Sequence, residues 1–295
     1  MKNKIVYQNT VVTRFAPSPS GYLHLGHAYS AWFAERIATE AGGKFLLRIE
    51  NIDYSRCRPE YEKAILTDLN WLGLKWEKPV RRQSDYMEEY ASELARLTEM
   101  NLIYPCFCTR KEIRREVNNI TAAPHEKVTD NLGVFYPGTC RKLNLYDRKK
   151  KIASGQPYAL RLNMKKAVDQ AIQKCKTLNW LDLDAGLQSA TPEIFGDAVI
   201  ARKDYPTSYH LSVVTDDASQ GVNLITRGED LRDVTHIHCL LQALLGLESP
   251  SYKFHRVLVD STGKRFAKRD KSLTLRKLRD DGMTLAEVRK MLDFF

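Results

Sequence analysis

Residues 11–50 of the chain, VVTRFAPSPSGYLHLGHAYSAWFAERIATEAGGKFLLRIE, decide the fold. The segment 11–15 has the composition of a short buried strand, and a turn rich in proline and glycine follows it. A helical pattern begins near His27 and should end at Gly42, because glycine is the preferred left-handed helix terminator. Residues 44–50 then alternate as a second strand. This order predicts a βαβ unit with two parallel strands.

The carboxyl ends of these two strands are the predicted site of chemistry. Ligands of parallel α/β sheets bind beyond the carboxyl ends of the strands. The turn after Phe15 and the acidic pair Glu50 and Asp53 both fall there. We therefore expect a ligand site between the turn and these carboxylates.

The rest of the chain continues the α/β pattern with one interruption. Helices are predicted from Pro59 to Leu72 and from Tyr86 to Met100. Cysteines, a basic run and short alternating pieces then indicate an insertion. The pattern resumes with a strand at 198–201, a helix at 209–217, a strand at 222–227, a helix through Leu240 and Leu244, and a strand at 256–259.

The expected fold class is α/β, with a Rossmann-type parallel sheet that is split in sequence. The first half of the catalytic domain is placed at 1–103 and an α+β insertion at 104–191. The second half is placed at 192–260, and a loop with a short helical tail at 261–295. A tail of that length accommodates about two short helices.

Composition narrows the class of partner and the compartment. Lys and Arg number 46 against 36 Asp and Glu, which favours a polyanionic partner such as nucleic acid without establishing one. The sequence contains neither a signal peptide nor an apolar run long enough to span a membrane, so we expect a cytosolic protein. In a reducing compartment its cysteines are expected to be thiols or metal ligands.

The turn at residues 20–27 is the candidate phosphate site, because the sequence has neither GxxxxGK[ST] nor GxGxxG. Gly21 and Gly26 permit close approach to the backbone, and His24 and His27 can donate hydrogen bonds at a helix amino terminus. This arrangement suits a triphosphate. A capping or surface pair, or a metal pair, is the alternative for the two histidines.

The turn and its flanks resemble the HIGH signature of class I aminoacyl-tRNA synthetases, specifically the glutamyl type. The resemblance continues in order through residues 47–53, 209–211, 227–230 and 263–270. The last of these is similar to the KMSKS loop, which in this family closes over the ATP phosphates. Ala267 stands where serine is usual, so a hydrogen bond worth about 1 kcal/mol is missing and activation should be slower.

The resemblance implies ATP and glutamate as substrates, with Mg²⁺ accompanying ATP. An amino acid ammonium needs a carboxylate, and a side-chain carboxylate pairs naturally with arginine. The implied glutamate-binding residues are Arg14, Ser18, Glu50, Tyr209 and Arg227. The implied ATP-binding residues are Pro17, Gly21, His24, Gly26, His27 and Lys268, of which His24, His27 and Lys268 are catalytic. A structural ion pair is the alternative for Glu50 or Arg227.

Three cysteines of the insertion, Cys106, Cys108 and Cys140, suit a tetrahedral zinc site. Their spacing alone is equally compatible with buried free thiols. The resemblance implies one structural Zn²⁺ with Tyr136 as the fourth ligand, and His125 is the rival for that place. The remaining cysteines are predicted to be ordinary core or surface residues: Cys57, Cys175 and Cys239.

The resemblance also indicates the acceptor. Only residues 270–295 follow the KMSKS-like loop, too few for the anticodon-binding region of a complete glutamyl-tRNA synthetase. Short zinc-bearing members of the family form glutamyl-adenylate without tRNA and attach glutamate to queuosine in tRNA(Asp). This implies queuosine-containing tRNA(Asp) as a partner, and we expect a monomer. The alternatives are a truncated synthetase that charges tRNA(Glu) and a non-enzymatic RNA-binding paralogue.

Overall fold

A computed structural model describes residues 10–120, 136–258 and 274–293. The strands are β1 (Val12–Phe15), β2 (Lys44–Ile49), β3 (Glu77–Arg82), β4 (Ile103–Cys106), β5 (Ala159–Leu162), β6 (Asn179–Asp182), β7 (Gly186–Ser189), β8 (Val199–Ala201), β9 (Leu224–Gly228) and β10 (Ser251–His255). The helices are α1 (Leu25–Glu40), α2 (Pro59–Trp71), α3 (Met87–Glu99), α4 (Arg110–Ile120), α5 (Leu145–Ala153), α6 (Met164–Cys175), α7 (Tyr209–Ser219), α8 (Val234–Leu245), α9 (Leu275–Asp280) and α10 (Leu285–Met291).

The predicted βαβ unit is confirmed. Strands β1 and β2 pair in parallel, with Val12 opposite Lys44 and Phe15 opposite Leu47, and α1 connects them. Gly42, just after α1, has a φ of 63°, the left-handed conformation expected of a glycine terminator. Strand β3 adds to this sheet in parallel and was not predicted, because its sequence EKPVRR has almost no apolar residues.

A second sheet continues the parallel arrangement in the order β7-β6-β10-β9. Strand β10 pairs in parallel with both β6 and β9, and β7 is antiparallel to β6. Strand β9 lies beside β1, since the Val12 backbone N–H donates to Asn223 Oδ1 at 2.8 Å. The carboxyl ends of β1, β2 and β9 therefore meet at one edge.

The strand predicted at 256–259 is wrong in position. The structure places β10 at Ser251–His255, and residues 256–258 belong to no strand. The apolar run after Arg256 suggested a strand there. The actual strand has the alternating pattern instead, with Tyr252 and Phe254 buried in the core.

The middle of the chain forms a small antiparallel sheet in the order β4-β5-β8. Strand pairing does not follow the sequence boundary expected at residue 191, because β5 pairs with β8, and β6 pairs with β10. The division of the chain into domains therefore stays a prediction.

Two apolar cores support the site. One lies under α1 and the first sheet, and the C-terminal helices contribute Leu275, Leu278 and Val288 to it. The other lies between the second sheet and α6, α7 and α8. The two short C-terminal helices are thus confirmed, and α9 packs against α2. Within the described ranges, no helix is both long and apolar enough to cross a membrane.

Candidate active site

Backbone hydrogen bonds join the loops that follow β1 and β2. The Glu50 N–H donates to the Pro17 carbonyl at 3.0 Å, and the Arg58 N–H donates to the Pro19 carbonyl at 3.0 Å. These bonds hold the loop that carries Ser18 and Gly21 against the end of β2. The two strand ends predicted to carry chemistry are thereby fixed to each other.

His24 and His27 form a reciprocal cap at the amino terminus of α1. His24 Nδ1 accepts from the Gly26 N–H at 3.1 Å, and His27 Nδ1 accepts from the His24 N–H at 3.2 Å. Because Nδ1 accepts in both neutral rings, Nε2 must carry the proton. A Cβ on Gly26 would lie 3.0 Å from the His24 ring, so the glycine allows the ring to take this position. Both imidazoles can therefore offer an N–H donor at a helix amino terminus.

The KMSKS-like loop, including Ala267 and Lys268, lies outside the described residues. Residues on both sides of it contact α1 or the turn before it. His255 Nε2 lies 2.6 Å from Ser30 Oγ on α1. After the loop, the Leu275 N–H donates to the Leu23 carbonyl at 2.8 Å. The residue before the loop thus contacts α1, and the residue after it contacts the turn that precedes α1.

A buried network of charged side chains lies beneath the same edge. Arg14 Nε is 2.9 Å from Asp217 Oδ1, and Arg48 Nη1 is 2.7 Å from that oxygen. Arg48 also lies 3.2 Å from Glu50 Oε1 and 3.5 Å from Asp216 Oδ2. Since the Arg48 side chain is fully buried, these carboxylates must balance its charge.

The network sets the charge of its members. Burial alone would raise the pKa of Asp217, but Arg14 and Arg48 outweigh it, so the pKa is lowered. Burial raises the pKa of Glu50 although Arg48 and Arg14 oppose the rise. Glu50 Oε2 has no hydrogen-bond partner among the residues described, whereas Oε1 accepts from Arg48. An ammonium group bound there would favour the ionised form.

Arg227 lies at the end of β9, and no carboxylate of the described residues forms an ion pair with it. Its Nη1 is 3.3 Å from His238 Nδ1, and its Nη2 donates to Thr235 Oγ1 at 3.1 Å. Its Nε is buried and has no hydrogen-bond partner. The structural ion pair considered for this arginine is therefore absent from the described part of the chain, whereas Glu50 does form one, with Arg48.

The other predicted glutamate-binding residues lie at the same edge. Tyr209 is the first residue of α7 and is 37% exposed. It lies close enough to Arg227, Glu50 and Arg14 to interact with their charges. Ser18 Oγ lies 3.6 Å from the thiol of the neighbouring Cys57. The structure thus brings together Arg14, Glu50, Tyr209 and Arg227. Ser18 lies on the loop whose Pro17 carbonyl accepts the hydrogen bond from the Glu50 N–H.

Several residues of this edge were missed or misjudged from sequence. Arg48, Asp216 and Asp217 were not singled out, although two adjacent acids in the apolar helix α7 were a usable signal. Asp53 was expected to take part in the chemistry, but its carboxylate accepts from Tyr205 and from nearby side chains. These bonds lower the pKa of Asp53 despite the opposing effect of burial. We interpret Asp53 as structural.

The three cysteines predicted as metal ligands form a compact cluster. Their Sγ atoms all lie within 4.8 Å of one another, and those of Cys108 and Cys140 are 3.4 Å apart. Tetrahedral zinc with Zn–S bonds of about 2.3 Å would separate two sulfurs by about 3.8 Å. Tyr136 Oη lies 3.6 Å from Cys108 Sγ. The donor set therefore fits zinc, while His125 lies outside the described residues.

Hydrogen bonding favours a thiolate within the cluster. The Cys106 thiol and the Phe107 N–H, with Tyr136, lower the pKa of Cys140 to about 6 although burial would raise it. The Phe107 N–H lies 3.4 Å from Cys140 Sγ. Thiolates are the form in which cysteine binds metals.

Comparison with known proteins agrees with this fold. Residues 10–292 match the family described as tRNA synthetases class I (E and Q), catalytic domain. A solved glutamate tRNA ligase from Elizabethkingia meningosepticum, in complex with its amino acid, has a TM-score of 0.71 and 26% sequence identity. That match covers 89% of this chain and 52% of the ligase, so the chain spans about half of its length. The α/β fold with its parallel sheet is that of a class I aminoacyl-tRNA synthetase.

Curated relatives define the group more closely. The chain is 44% identical to a glutamyl-Q tRNA(Asp) synthetase of Rhodobacter capsulatus, over 96% of this chain and 99% of the relative. It is 34% identical to a glutamate–tRNA ligase of Aquifex aeolicus, over 92% of this chain and 54% of the relative. The chain belongs to the glutamyl-Q tRNA(Asp) synthetase family of class I ligases.

Proposed function

We propose that the protein uses ATP to convert L-glutamate into glutamyl-adenylate without tRNA, and then transfers glutamate to queuosine at the wobble position of tRNA(Asp). The observation that carries the activation step is the buried guanidinium of Arg227, which has no carboxylate partner among the described residues. A buried arginine of this kind calls for an anionic ligand. Support for queuosine-containing tRNA(Asp) as the acceptor comes from relatives named glutamyl-Q tRNA(Asp) synthetase, which match this chain over most of its length.

The two ends of glutamate have separate partners in this proposal. Glu50 binds the ammonium through Oε2, and Arg227 binds the side-chain carboxylate through two N–H groups. Arg14 is already paired with Asp217, so it contributes less free charge than Arg227. Ser18 and Tyr209 line the remaining wall.

Adenylate formation requires no nucleophile from the protein. The α-carboxylate oxygen of glutamate attacks the α-phosphorus of ATP, the bond to the β-phosphate oxygen breaks, and pyrophosphate leaves. Catalysis then consists of positioning and charge stabilisation. His24 and His27 donate through Nε2 to the phosphates, beside the α1 amino terminus. Pro17, Gly21 and Gly26 complete the site for ATP with its Mg²⁺, and Lys268 acts from the KMSKS-like loop.

In the transfer step, a hydroxyl of the queuosine cyclopentenediol attacks the carbonyl carbon of the adenylate. The hydroxyl proton passes to water, the acyl–phosphate bond breaks, and AMP leaves with the electron pair of that bond. The product is a glutamyl ester of the modified base.

Two assays test the proposal. We expect glutamate-dependent exchange of pyrophosphate into ATP in the absence of tRNA, and labelled glutamate on queuosine-containing tRNA(Asp). Exchange with transfer only to queuosine-free tRNA(Glu) would identify a truncated glutamate–tRNA ligase instead. No exchange under any condition would favour a non-enzymatic RNA-binding protein.

Helix α5 carries a surface suited to RNA. None of its residues is buried, and its first two, Leu145 and Tyr146, are 72% and 74% exposed. The basic run at residues 148–151 lies on the same helix. Exposed aromatic side chains beside lysines and arginines bind the stacked-out bases and phosphates of RNA loops. The α5 surface therefore supports an RNA acceptor.

Replacing Tyr146 should impair transfer and spare activation. Loss of one base stack in Tyr146→Ala should raise the KM for queuosine-containing tRNA(Asp) about tenfold. Glutamate-dependent pyrophosphate exchange should stay at the wild-type rate. Leu187→Ala, at an exposed position on β7, is the control for loss of an exposed apolar side chain. An unchanged KM for tRNA would exclude Tyr146 from the RNA surface.

We propose that Cys106, Cys108 and Cys140 hold one structural Zn²⁺ together with Tyr136. Cys140→Ser should purify with far less zinc than the wild type when metal content is measured by mass spectrometry. Cys175→Ser, at an exposed cysteine, should retain it. Wild-type protein that lacks zinc after growth in zinc-supplemented medium would contradict this assignment. If Tyr136→Phe keeps its zinc, His125 becomes the candidate for the fourth ligand.

A further inference from the structure

Arg227 forms hydrogen bonds with neutral groups, whereas the other arginines of the site form ion pairs with carboxylates. The Thr235 hydroxyl and the His238 ring are its hydrogen-bond partners, at 3.1 and 3.3 Å. By contrast, Arg14 forms two contacts with Asp217, at 2.9 and 3.3 Å. The positive charge of Arg227 is therefore not balanced by any described side chain that binds it.

The ring of His238 has a fixed orientation and tautomer. It is 1% exposed, with Nδ1 facing Arg227 and Nε2 lying 3.4 Å from His210 Nδ1. A guanidinium only donates, so Nδ1 must accept and the proton of the neutral ring lies on Nε2, where His210 can accept it. Burial and the charge of Arg227 lower the pKa of His238 well below its usual range, so the ring is neutral.

We infer that His238 is a positioning residue, which orients Arg227 toward the side-chain carboxylate of glutamate and thereby sets the preference for glutamate over glutamine. This inference rests on the proposed activation of glutamate. Thr235 and His238 each engage one of the two terminal nitrogens, and the second N–H of each terminal nitrogen is left for a two-bond contact with a carboxylate. Because neither partner is anionic, the guanidinium is oriented while its positive charge remains uncompensated by these partners.

Two substitutions separate the role of the acceptor atom from that of the ring volume. His238→Leu removes the acceptor, while His238→Asn retains a carbonyl oxygen near the position of Nδ1. His238→Leu should raise the KM for glutamate at least about tenfold in pyrophosphate exchange, with kcat and the KM for ATP changed less than about threefold. The ratio of glutamate to glutamine activation should fall with it. His238→Asn should restore most of the affinity.

Further variants make the outcome decisive. Thr235→Val removes the other acceptor with little change of volume and should also raise the KM for glutamate. His236→Leu, on the same helix but half-exposed and bound to the Thr191 N–H, should leave that KM unchanged. Calorimetric titration with L-glutamate tests separately the proposed binding of glutamate and the positioning role of His238. Absence of binding to the wild type would overturn the proposed function and this inference with it, whereas unchanged affinity in His238→Leu and Thr235→Val would overturn the inference alone.

Discussion

Arg227→Gln is expected to lower kcat/KM for glutamate-dependent pyrophosphate exchange by about 30- to 5,000-fold, the range for losing one partner of a buried charge pair. The loss should appear mainly as a higher KM for glutamate, because the proposed ATP site does not include this side chain. Arg227→Lys should fall between wild type and Arg227→Gln, since an ammonium keeps the charge but not the planar two-bond geometry.

The stability of Arg227→Gln provides a second, independent readout. If Arg227 served only to stabilise the fold, its removal would lower the free energy of unfolding. Because Arg227 is buried and has no carboxylate partner in the described part of the chain, its neutral replacement should unfold at the same urea concentration as the wild type or a higher one. Arg36→Gln, at a half-exposed arginine of α1, is the control for activity and stability. Wild-type activity, or a marked loss of stability, would remove Arg227 from the glutamate site.

The sequence predicted the part of the fold that follows from local periodicity. The βαβ unit and four of the helices have apolar patterns or terminators that predict them without any knowledge of their tertiary contacts. These helices are α2, α3, α7 and α8. Strand β3 escaped prediction because its stability comes from pairing with β2 rather than from its own charged sequence. Strand order and the pairing of β6 with β10 are long-range properties that periodicity does not contain.

The residues proposed to bind a ligand were recognisable from the sequence, whereas the buried residues that contact each other were not. The histidine turn, Glu50 and Arg227 belong to ordered motifs, and the structure gathers them at one edge. Arg48 was hidden because an arginine is ordinarily exposed, whereas here it is fully buried among carboxylates. A buried charge is identified only by its partners, and Asp217 is distant from it in sequence.

Asp217 is the residue on which the network depends most, and Asp217→Asn is expected to reduce the free energy of unfolding by about 3–5 kcal/mol. Its carboxylate accepts from two buried arginines, Arg14 and Arg48, so an amide would leave both partly uncompensated. Glu50, which Arg48 also contacts, should then shift, and affinity for glutamate should fall. Urea unfolding followed by circular dichroism measures the first effect, and pyrophosphate exchange measures the second.

The matched control is Asp184→Asn, which breaks the more exposed pair with Lys253 and should cost less than about 1 kcal/mol. The effect at Asp217 should also depend on pH in a defined direction. Because the folded protein lowers the pKa of Asp217, its stabilisation is complete above the unfolded value of about 3.9 and declines as the pH falls toward the lowered pKa. The difference between wild type and Asp217→Asn should therefore be constant near neutral pH and shrink only in acid. Equal unfolding midpoints for the two proteins at pH 7 would show that Arg14 and Arg48 do not require this carboxylate, and that Glu50 is positioned by other contacts.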